Sequence, residues 1–309
     1  KKLAPAIAVQ EICPHTEAMY AALRRTTLVD LGCVGQEALC VRLCQHTQML
    51  CVVNRRSTAQ KLYDALPQEG RYCLTTLLCA ADRKAQIAQI RARLKNGLPC
   101  RVVSTSLIEA GVDVDFPAAY REDSGLDSLL QTAGRCNREG KRDAAHSFVY
   151  RFCLHGQTPP AMLAKNVSAL HDTARKYADV SSPDAIHAYF AELFQLKGDN
   201  ALDKKGILMA TERGIDGCLL PFAQIAERFR LIEAPTRTVY LPIEEGAALC
   251  RQLQAGEVSR MLLRKLGPYS VDCYEQQFQA LDHAGALELL PDGAAILIDL
   301  SKYDRKTGL

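Results

Sequence analysis

Short apolar runs alternate with helical patterns through the first half of the chain, and this alternation limits the possible folds more than any other feature. The apolar runs predict strands at 6–12, 49–54, 72–78, 101–105, 118–121 and 147–152. Helical periodicity between them predicts helices at 57–66, 82–95 and 126–135. Nearly continuous apolar strands separated by helices are typical of a parallel sheet covered on both faces. The sequence therefore predicts an α/β fold, a RecA-like or Rossmann-like parallel sheet flanked by helices.

The pattern changes after residue 152. A Gln-Thr-Pro-Pro break at 157–160 precedes helical periodicity over 161–178, 183–196 and 222–230. Strands return at 239–242, 286–290 and 294–300, and a Pro-Asp-Gly turn joins the last two. Because single cores rarely grow beyond about 250 residues, a chain of 309 residues predicts more than one unit. We expect a RecA-like domain at 1–153, a helical connector at 154–236 and a small α/β C-terminal domain at 237–309.

Composition and charge narrow the possible ligand sites. The net charge of +3 provides no global positive field, so nucleic-acid binding would require a local groove. The thirteen cysteines form no Cys-x-x-Cys pair and the seven histidines show no paired ligand spacing, so we expect free thiols and no metal site. Neither a membrane span nor a signal peptide is found, which predicts a cytoplasmic protein without a membrane partner. The start at Lys1 rather than Met predicts an internal fragment.

A first polar motif follows the strand predicted at 101–105. Ser104 and Thr105 end this strand, and ligands gather at the carboxyl ends of parallel strands. Their hydroxyl and N–H groups could bind an anion such as a phosphate, although a capped strand end explains them equally well. Gly111 permits a close backbone turn, and Asp113 could accept a hydrogen bond from a ribose hydroxyl.

A second motif lies at the end of the helix predicted at 126–135. Gln131, Arg135 and Arg138 project away from the apolar face of this helix or follow its end. An arginine can stabilise the charge on a transferred phosphoryl group, and a glutamine can orient water. A solvated, charged helix end is the alternative. The order of the two motifs, a short distance apart, favours a functional interpretation.

These motifs resemble those of superfamily 2 helicases. Residues 102–116 are similar to motif V, and 131–138 to motif VI. The segments STSLIEAGVDVDFP and GLDSLLQTAGRCNREG most resemble those of the CRISPR-associated nuclease-helicases of type I systems, which Cascade recruits. LCVVNRRSTAQKLYDAL at 50–66 resembles motif IV, and the ending YDRKTGL resembles that family's C-terminal domain. The sequence departs from the family at 78–81, Leu-Cys-Ala-Ala, where a His-Ser-Arg-Phe-like element is common.

The resemblance implies a role for each motif residue. Gln131, Arg135 and Arg138 would reach the γ-phosphate of ATP bound on a preceding RecA-like domain. Three further residues would lie near the nucleotide: Asp113, Gly111 and Gly134. The Asp113 carboxylate would lie near the ribose. Four residues would contact the backbone of a tracked DNA strand: Ser104, Thr105, Asn54 and Arg55.

The chain contains no Gly-x-x-x-x-Gly-Lys-Ser/Thr motif and no Asp-Glu pair placed to hold Mg²⁺. By resemblance, ATP and Mg²⁺ are bound mainly by a first RecA-like domain outside this sequence, so we expect the fragment alone to be inactive. The only His-Asp dipeptide, His171-Asp172, is expected to be a solvated helix pair rather than part of a nuclease site.

The full protein is expected to move 3′ to 5′ along single-stranded DNA, driven by ATP, and to couple this movement to target degradation in antiviral defence. Its expected partners are single-stranded DNA and the Cascade complex, and an anti-CRISPR inhibitor protein is a further candidate partner. Two other interpretations stay open: a module that binds a partner or an inhibitor, and another superfamily 2 translocase.

Overall fold

The computed structural model describes residues 12–109, 111–198, 201, 203–229, 236–291 and 293–309. Most of the strand predicted at 6–12 lies outside these ranges. The first part of the chain contains helices α1 to α5, which are Thr16–Ala22, Gln36–Gln45, Arg56–Ala65, Ala80–Lys95 and Leu126–Ala133. Its strands β1 to β6 are Thr27–Val34, Gln48–Val52, Arg71–Leu74, Cys100–Ser104, Ala118–Glu122 and Phe148–Leu154.

The six strands form one sheet in the order β1-β6-β5-β2-β4-β3, and every neighbouring pair is parallel. Alternate residues of β2 enter different cores: Leu50 and Val52 pack on one face, Met49 and Cys51 on the other. This alternation follows from the two-residue period of a strand. The predicted α/β fold, a parallel sheet flanked by helices, is confirmed.

Three elements of the first part of the chain were not predicted. Strand β1 forms an edge of the sheet, and its half-exposed sequence contains Asp30 and Gly32, so it shows no continuous apolar run. The helices before and after it, α1 and α2, were missed as well. The strand predicted at 72–78 ends at Leu74, because the Thr75 hydroxyl accepts the Leu77 N–H in a turn that leads into α4.

The expectation that all cysteines are free is wrong for one pair. Cys33 in β1 and Cys153 in β6 are directly opposite partners in neighbouring strands, with Cα atoms 4.4 Å apart, and they form a disulfide. The pair is separated by 120 positions in the chain, so only the strand register brings the two sulfurs together. The other eleven cysteines form no disulfide within the part of the chain that the structure describes.

Four helices whose bounds lie within the described ranges follow the large sheet. They are α6 (Ala164–Lys176), α7 (Pro183–Lys197), α8 (Ile207–Asp216) and α9 (Phe222–Arg228). Leu170 of α6 and Tyr189 of α7 are buried in the same core as Leu126 and Leu129 of α5. The first half of the predicted connector is therefore packed against the sheet region. No helix within the described ranges is long and apolar enough to cross a membrane.

A second, smaller sheet lies in the C-terminal part. Its strands β7 to β10 are Thr236–Tyr240, Ser270–Tyr274, Leu287–Leu289 and Ala295–Leu297, in the order β8-β7-β10-β9. Helices α10 to α12 are Glu245–Gln254, Arg260–Leu266 and Glu275–His283. Strands β7 and β10 are parallel, and the other two pairings are antiparallel. The predicted small α/β unit is present, with β8 as an additional strand.

The end of the chain joins the small sheet to the large one. Asp82, at the start of α4, is buried, and its carboxylate accepts hydrogen bonds from the Tyr303 hydroxyl at 2.8 Å and from the Arg305 guanidinium at 2.6 and 2.9 Å. Gly308 adopts φ +91°, and a Cβ atom there would lie 2.4 Å from the Leu77 backbone. We call residues 303–309 the C-terminal hook.

Candidate functional site

The two sequence motifs meet at one edge of the large sheet. Helix α5 ends when the Gly134 N–H donates to the Leu130 carbonyl, and the chain then turns back beside the segment after β4. The Phe116 N–H donates to the Arg135 carbonyl, and the Asn137 N–H donates to the Phe116 carbonyl, both at 2.9 Å. These backbone bonds hold the predicted nucleotide residues of the two motifs next to each other.

Arg138 and Asp113 form an exposed ion pair. The Arg138 Nε atom lies 2.7 Å from Asp113 Oδ1, and the two side chains are 43% and 74% exposed. Asp115 joins them by accepting the Arg138 backbone N–H and a hydrogen bond from Arg142. We call Asp113, Asp115, Arg138 and Arg142 the surface cluster. Because its charges are in water, the Arg138 guanidinium can exchange its carboxylate partner for another anion at little cost.

Arg135 is held differently. Its guanidinium donates to the carbonyl oxygens of Ile108 at 3.2 Å and Glu109 at 2.6 Å, at the end of the short 3₁₀ turn Ser106–Ile108. Burial and, less strongly, the neighbouring charge of Arg138 lower the pKa of Arg135. This arginine therefore rests on backbone carbonyls rather than on a carboxylate.

The other predicted nucleotide residues are close by. Gln131 is exposed in the last turn of α5. Gly111 is exposed and adopts φ +74°, the left-handed conformation that glycine accommodates without strain. Cavities of about 880 and 640 Å³ lie on the two sides of Arg138. The smaller one is lined by five basic and three acidic residues, which favours an anionic ligand.

The predicted nucleic-acid residues lie at the carboxyl ends of two neighbouring strands. The Val53 N–H donates to the Ser104 carbonyl, so the ends of β2 and β4 are adjacent. Ser104 is fully buried, and its hydroxyl lies 2.8 Å from the carbonyl oxygens of Leu74 and Thr105. In this conformation Ser104 joins β3 to β4 and offers no hydroxyl to a ligand. Half-buried Thr105 donates its N–H to the Leu74 carbonyl.

Asn54 and Arg55 follow β2 at the same edge. The Asn54 backbone N–H donates to the Glu122 carboxylate, and its side-chain amide donates to the Asp123 carbonyl, both at 2.7 Å. Arg55 donates to the Thr158 carbonyl at 2.9 Å. The structure thus brings the strand-end residues to one edge, while their contacts with DNA stay predictions.

The sequence reasoning missed a group of buried charges at this edge. Arg121 and Glu109 are 3% and 6% exposed, and Arg121 Nε lies 2.9 Å from Glu109 Oε1. The Arg121 guanidinium also donates to Asn54 Oδ1 at 2.8 Å. Together with the buried carboxylates of Glu122 and Asp123, these residues form what we call the strand-end cluster. The available signal was the charged triplet Arg-Glu-Asp at the end of a buried strand, where Arg121 and Glu122 are its last two residues.

Burial is the largest influence on the charges of this cluster. It raises the pKa of Glu109 and of Glu122, although Arg121 and the Asn54 N–H act in the opposite direction. Burial also lowers the pKa of Arg121 against the attraction of Glu109 and Glu122. The cost of removing these groups from water therefore exceeds the gain from their mutual attraction.

The His171-Asp172 dipeptide is divided between two partners. His171 Nε2 lies 2.6 Å from Asp123 Oδ2, which connects α6 to the end of β5, whereas Asp172 pairs with Arg175 on the helix surface. Within the described ranges, no group of three or more His, Cys, Asp or Glu side chains is arranged to hold a metal ion. The expected solvated pair is correct for Asp172, and His171 is instead a structural contact.

Residues 45–141 match the family model described as CRISPR-associated nuclease/helicase Cas3, C-terminal. The chain is also 34% identical over 97 residues to the CRISPR-associated nuclease/helicase Cas3 of Methanothermobacter thermautotrophicus. That alignment covers 31% of this chain and 11% of the relative. The chain therefore matches only a small part of a much longer protein.

Two solved structures share the fold over most of the chain. The crystal structure of T. fusca Cas3 has a TM-score of 0.53 and 13% identity, covering 88% of this chain and 38% of that one. A structure described as a CRISPR RNA-guided surveillance complex, pre-nicking, has a TM-score of 0.50 and 15% identity, covering 88% and 40%. At these identities the likeness shows the fold alone.

Proposed function

We propose that this chain is a C-terminal portion of a Cas3-like CRISPR-associated nuclease/helicase and that it completes an ATP site shared with another RecA-like domain, since residues 45–141 match the Cas3 C-terminal family model. In the longer protein, ATP hydrolysis would drive 3′ to 5′ movement along single-stranded DNA during target degradation. The observation that carries the proposal is the exposed Asp113–Arg138 pair beside Arg135.

The donor set fits a triphosphate. Two guanidinium groups at one edge can meet the equatorial oxygens of a transferred phosphoryl group and stabilise its charge. Arg138 is exposed and paired only with an exposed carboxylate, so its release toward a phosphate would cost little. Gln131 is exposed on the preceding helical turn and could orient a water molecule. Nothing in the printed sequence resembles a phosphate-binding loop, so ATP and Mg²⁺ would be held mainly by the other RecA-like domain.

The strand-end residues would face the nucleic acid. Asn54, Arg55 and Thr105 share one edge, where their backbone and side-chain groups would follow the phosphates of a single strand. The buried Ser104 hydroxyl would support this edge through the Leu74 carbonyl. Ligands of parallel sheets bind at the carboxyl ends of the strands. The loops that contact DNA would therefore be neighbours of the loops that carry Arg135 and Arg138. The fold shared with a protein in a surveillance complex supports Cascade as the partner that loads this strand.

The test uses a longer protein that contains both RecA-like domains. Replacing Arg135 or Arg138 with Ala should lower DNA-stimulated ATP turnover by roughly 10³-fold, the smaller end of arginine-finger effects. The affinity for ATP should fall much less, because these groups act mainly on the transition state. Arg175→Ala, in an exposed helix pair remote from the site, is the matched control.

Unchanged turnover in Arg135→Ala and Arg138→Ala would contradict the proposal. The 309 residues alone should neither hydrolyse ATP nor cut DNA. A DNA-stimulated ATPase activity that copurifies with them at constant specific activity would show that the site needs no second domain.

A further inference from the structure

We propose that Arg121 is a positioning residue that couples the nucleotide edge of the sheet to the nucleic-acid edge, through its ion pair with Glu109. The inference rests on the proposed function and assigns a coupling route to it. Three direct contacts connect the arginine that would meet ATP with the asparagine that would face DNA: Arg135 with Glu109, Glu109 with Arg121, and Arg121 with Asn54.

The first contact lies at the nucleotide edge. The Arg135 guanidinium donates to the backbone carbonyls of Ile108 and Glu109. If Arg135 moves toward a phosphate, it either leaves these carbonyls or pulls the 3₁₀ turn with it. The position of the turn therefore depends on what Arg135 binds.

The second step runs through the Glu109 side chain. Its carboxylate is buried, with Oε1 2.9 Å from Arg121 Nε and Oε2 accepting the Ser128 hydroxyl at 3.1 Å. Ser128 belongs to α5, the helix that carries Gln131 and leads to Arg135. A shift of the turn thus acts on β5 and α5 at the same time.

Arg121 completes the route. Its guanidinium donates to Asn54 Oδ1 at 2.8 Å and to the Glu122 carbonyl at 3.0 Å. Asn54 is held from the other side by Glu122 and Asp123, so its place at the end of β2 depends on this group of contacts. Because interiors are densely packed, a displacement of the Arg121 side chain would be transmitted rather than absorbed.

The ion pair ties the two side chains closely to each other. Arg121 Nε and Glu109 Oε1 are 2.9 Å apart, and the two side chains are 3% and 6% exposed. Because neither charge can be left buried without its partner, a displacement of one side chain should move the other.

The side-chain type also fits this role. A buried ion pair gives little net stability over apolar residues of equal size, so its presence is poorly explained by stability alone. Arginine presents donors in a planar fork and can contact a carboxylate and an amide oxygen in different directions. Lysine offers one point charge and cannot maintain both contacts at these distances.

The experiment measures coupling in the longer protein with both RecA-like domains. ATP turnover is measured with and without single-stranded DNA, and DNA affinity by fluorescence anisotropy. In Arg121→Lys the stimulation by DNA should fall roughly 5- to 150-fold, the usual range of a coupling free energy. Turnover without DNA and the Kd for DNA should stay within about twofold, because neither edge loses a contacting residue.

Two further variants keep the test independent of folding. Glu109→Gln keeps the volume of the side chain, and Ser128→Ala removes one contact of the same carboxylate. Both should reduce DNA stimulation in the same direction, and they decide the question if Arg121→Lys does not fold. Arg93→Lys is the matched control, since Arg93 is also mostly buried, pairs with Glu69 and bonds the Pro99 carbonyl, but contacts no residue of the route.

Linkage supplies an independent readout. If the route couples the two edges, DNA and a non-hydrolysable ATP analogue change each other's affinity by the same factor, and Arg121→Lys should reduce both factors equally. An equal loss of stimulation in Arg93→Lys, or a parallel loss of DNA affinity, would assign Arg121 a purely structural role. Absence of DNA stimulation in the unmodified protein would instead overturn the proposed function, and this inference with it.

Discussion

The surface cluster and the strand-end cluster each centre on one arginine-carboxylate pair of nearly equal length. Arg138 and Asp113 are 2.7 Å apart at 43% and 74% exposure, whereas Arg121 and Glu109 are 2.9 Å apart at 3% and 6%. Water screens the first pair, so its partners can be exchanged. The second pair has lost its hydration, so neither partner can leave without a large cost. The two ion pairs therefore have similar lengths but differ in how easily their partners can be exchanged, and burial causes this difference.

The largest expected difference between the clusters is in stability. Glu109→Ala leaves the charge of Arg121 buried beside an empty space and should lower the free energy of unfolding by about 3–5 kcal/mol. Asp113→Ala removes the exposed partner and should cost about 1 kcal/mol at most. Urea denaturation of both variants measures the difference. Equal costs would show that burial does not separate the two clusters.

The C-terminal hook provides an intermediate case, because Asp82 is 3% exposed and Arg305 is 54% exposed. Arg305→Ala leaves the Asp82 carboxylate buried with the Tyr303 hydroxyl and should cost about 1–3 kcal/mol. Hydrogen exchange should become faster at the Cys79 and Leu309 amides, which bond across this contact. Arg264→Ala, in the last turn of α11, is a control with a local effect only. An unchanged hydrogen-exchange rate at the Cys79 amide would show that the C-terminal hook does not stabilise this contact.

The smallest expected effect is the pH dependence of stability, and it differs in sign between a buried and an exposed carboxylate. Burial raises the folded-state pKa of Glu122. Wild type should therefore lose stability relative to Glu122→Gln as the pH rises from the ordinary carboxyl value, about 4.3, toward the folded pKa.

Asp30 should behave in the opposite way. Burial acts to raise its pKa, but hydrogen bonds from Arg151 and Gly32 outweigh it and lower the pKa. Relative to Asp30→Asn, wild type should keep its advantage above the ordinary Asp value and lose it as the pH falls through the folded pKa. Denaturation series between pH 3 and 8 compare the two differences, and slopes of the same sign would contradict the assignment.

The features that were predictable from sequence are those that local patterns encode. Strand-helix alternation predicted the parallel sheet, whereas the roles that the motifs assign to Asp113 and Arg138 stay predictions. Strand β1 escaped because Asp30 and Gly32 interrupt its apolar run at a sheet edge. Arg121 and Glu122 were overlooked because charged residues are usually exposed, and only tertiary contacts reveal their burial.

Other features depended on strand register and distant contacts. The Cys33–Cys153 bond follows from the pairing of β1 with β6, which no local pattern specifies. The Ser104 hydroxyl was expected to face a ligand, but the adjacent Leu74 carbonyl accepts it instead. Both outcomes were decided by neighbours in space rather than in sequence.

The C-terminal hook also has a consequence for the order in which the molecule is assembled. Asp82 finds its hydroxyl partner 221 positions later and its guanidinium partner 223 positions later. During synthesis the sheet can form long before these residues exist, so the start of α4 carries an uncompensated carboxylate in the meantime. The loop before α4 should therefore be among the last parts of the protein to reach its final shape, since contacts of such long range form slowly.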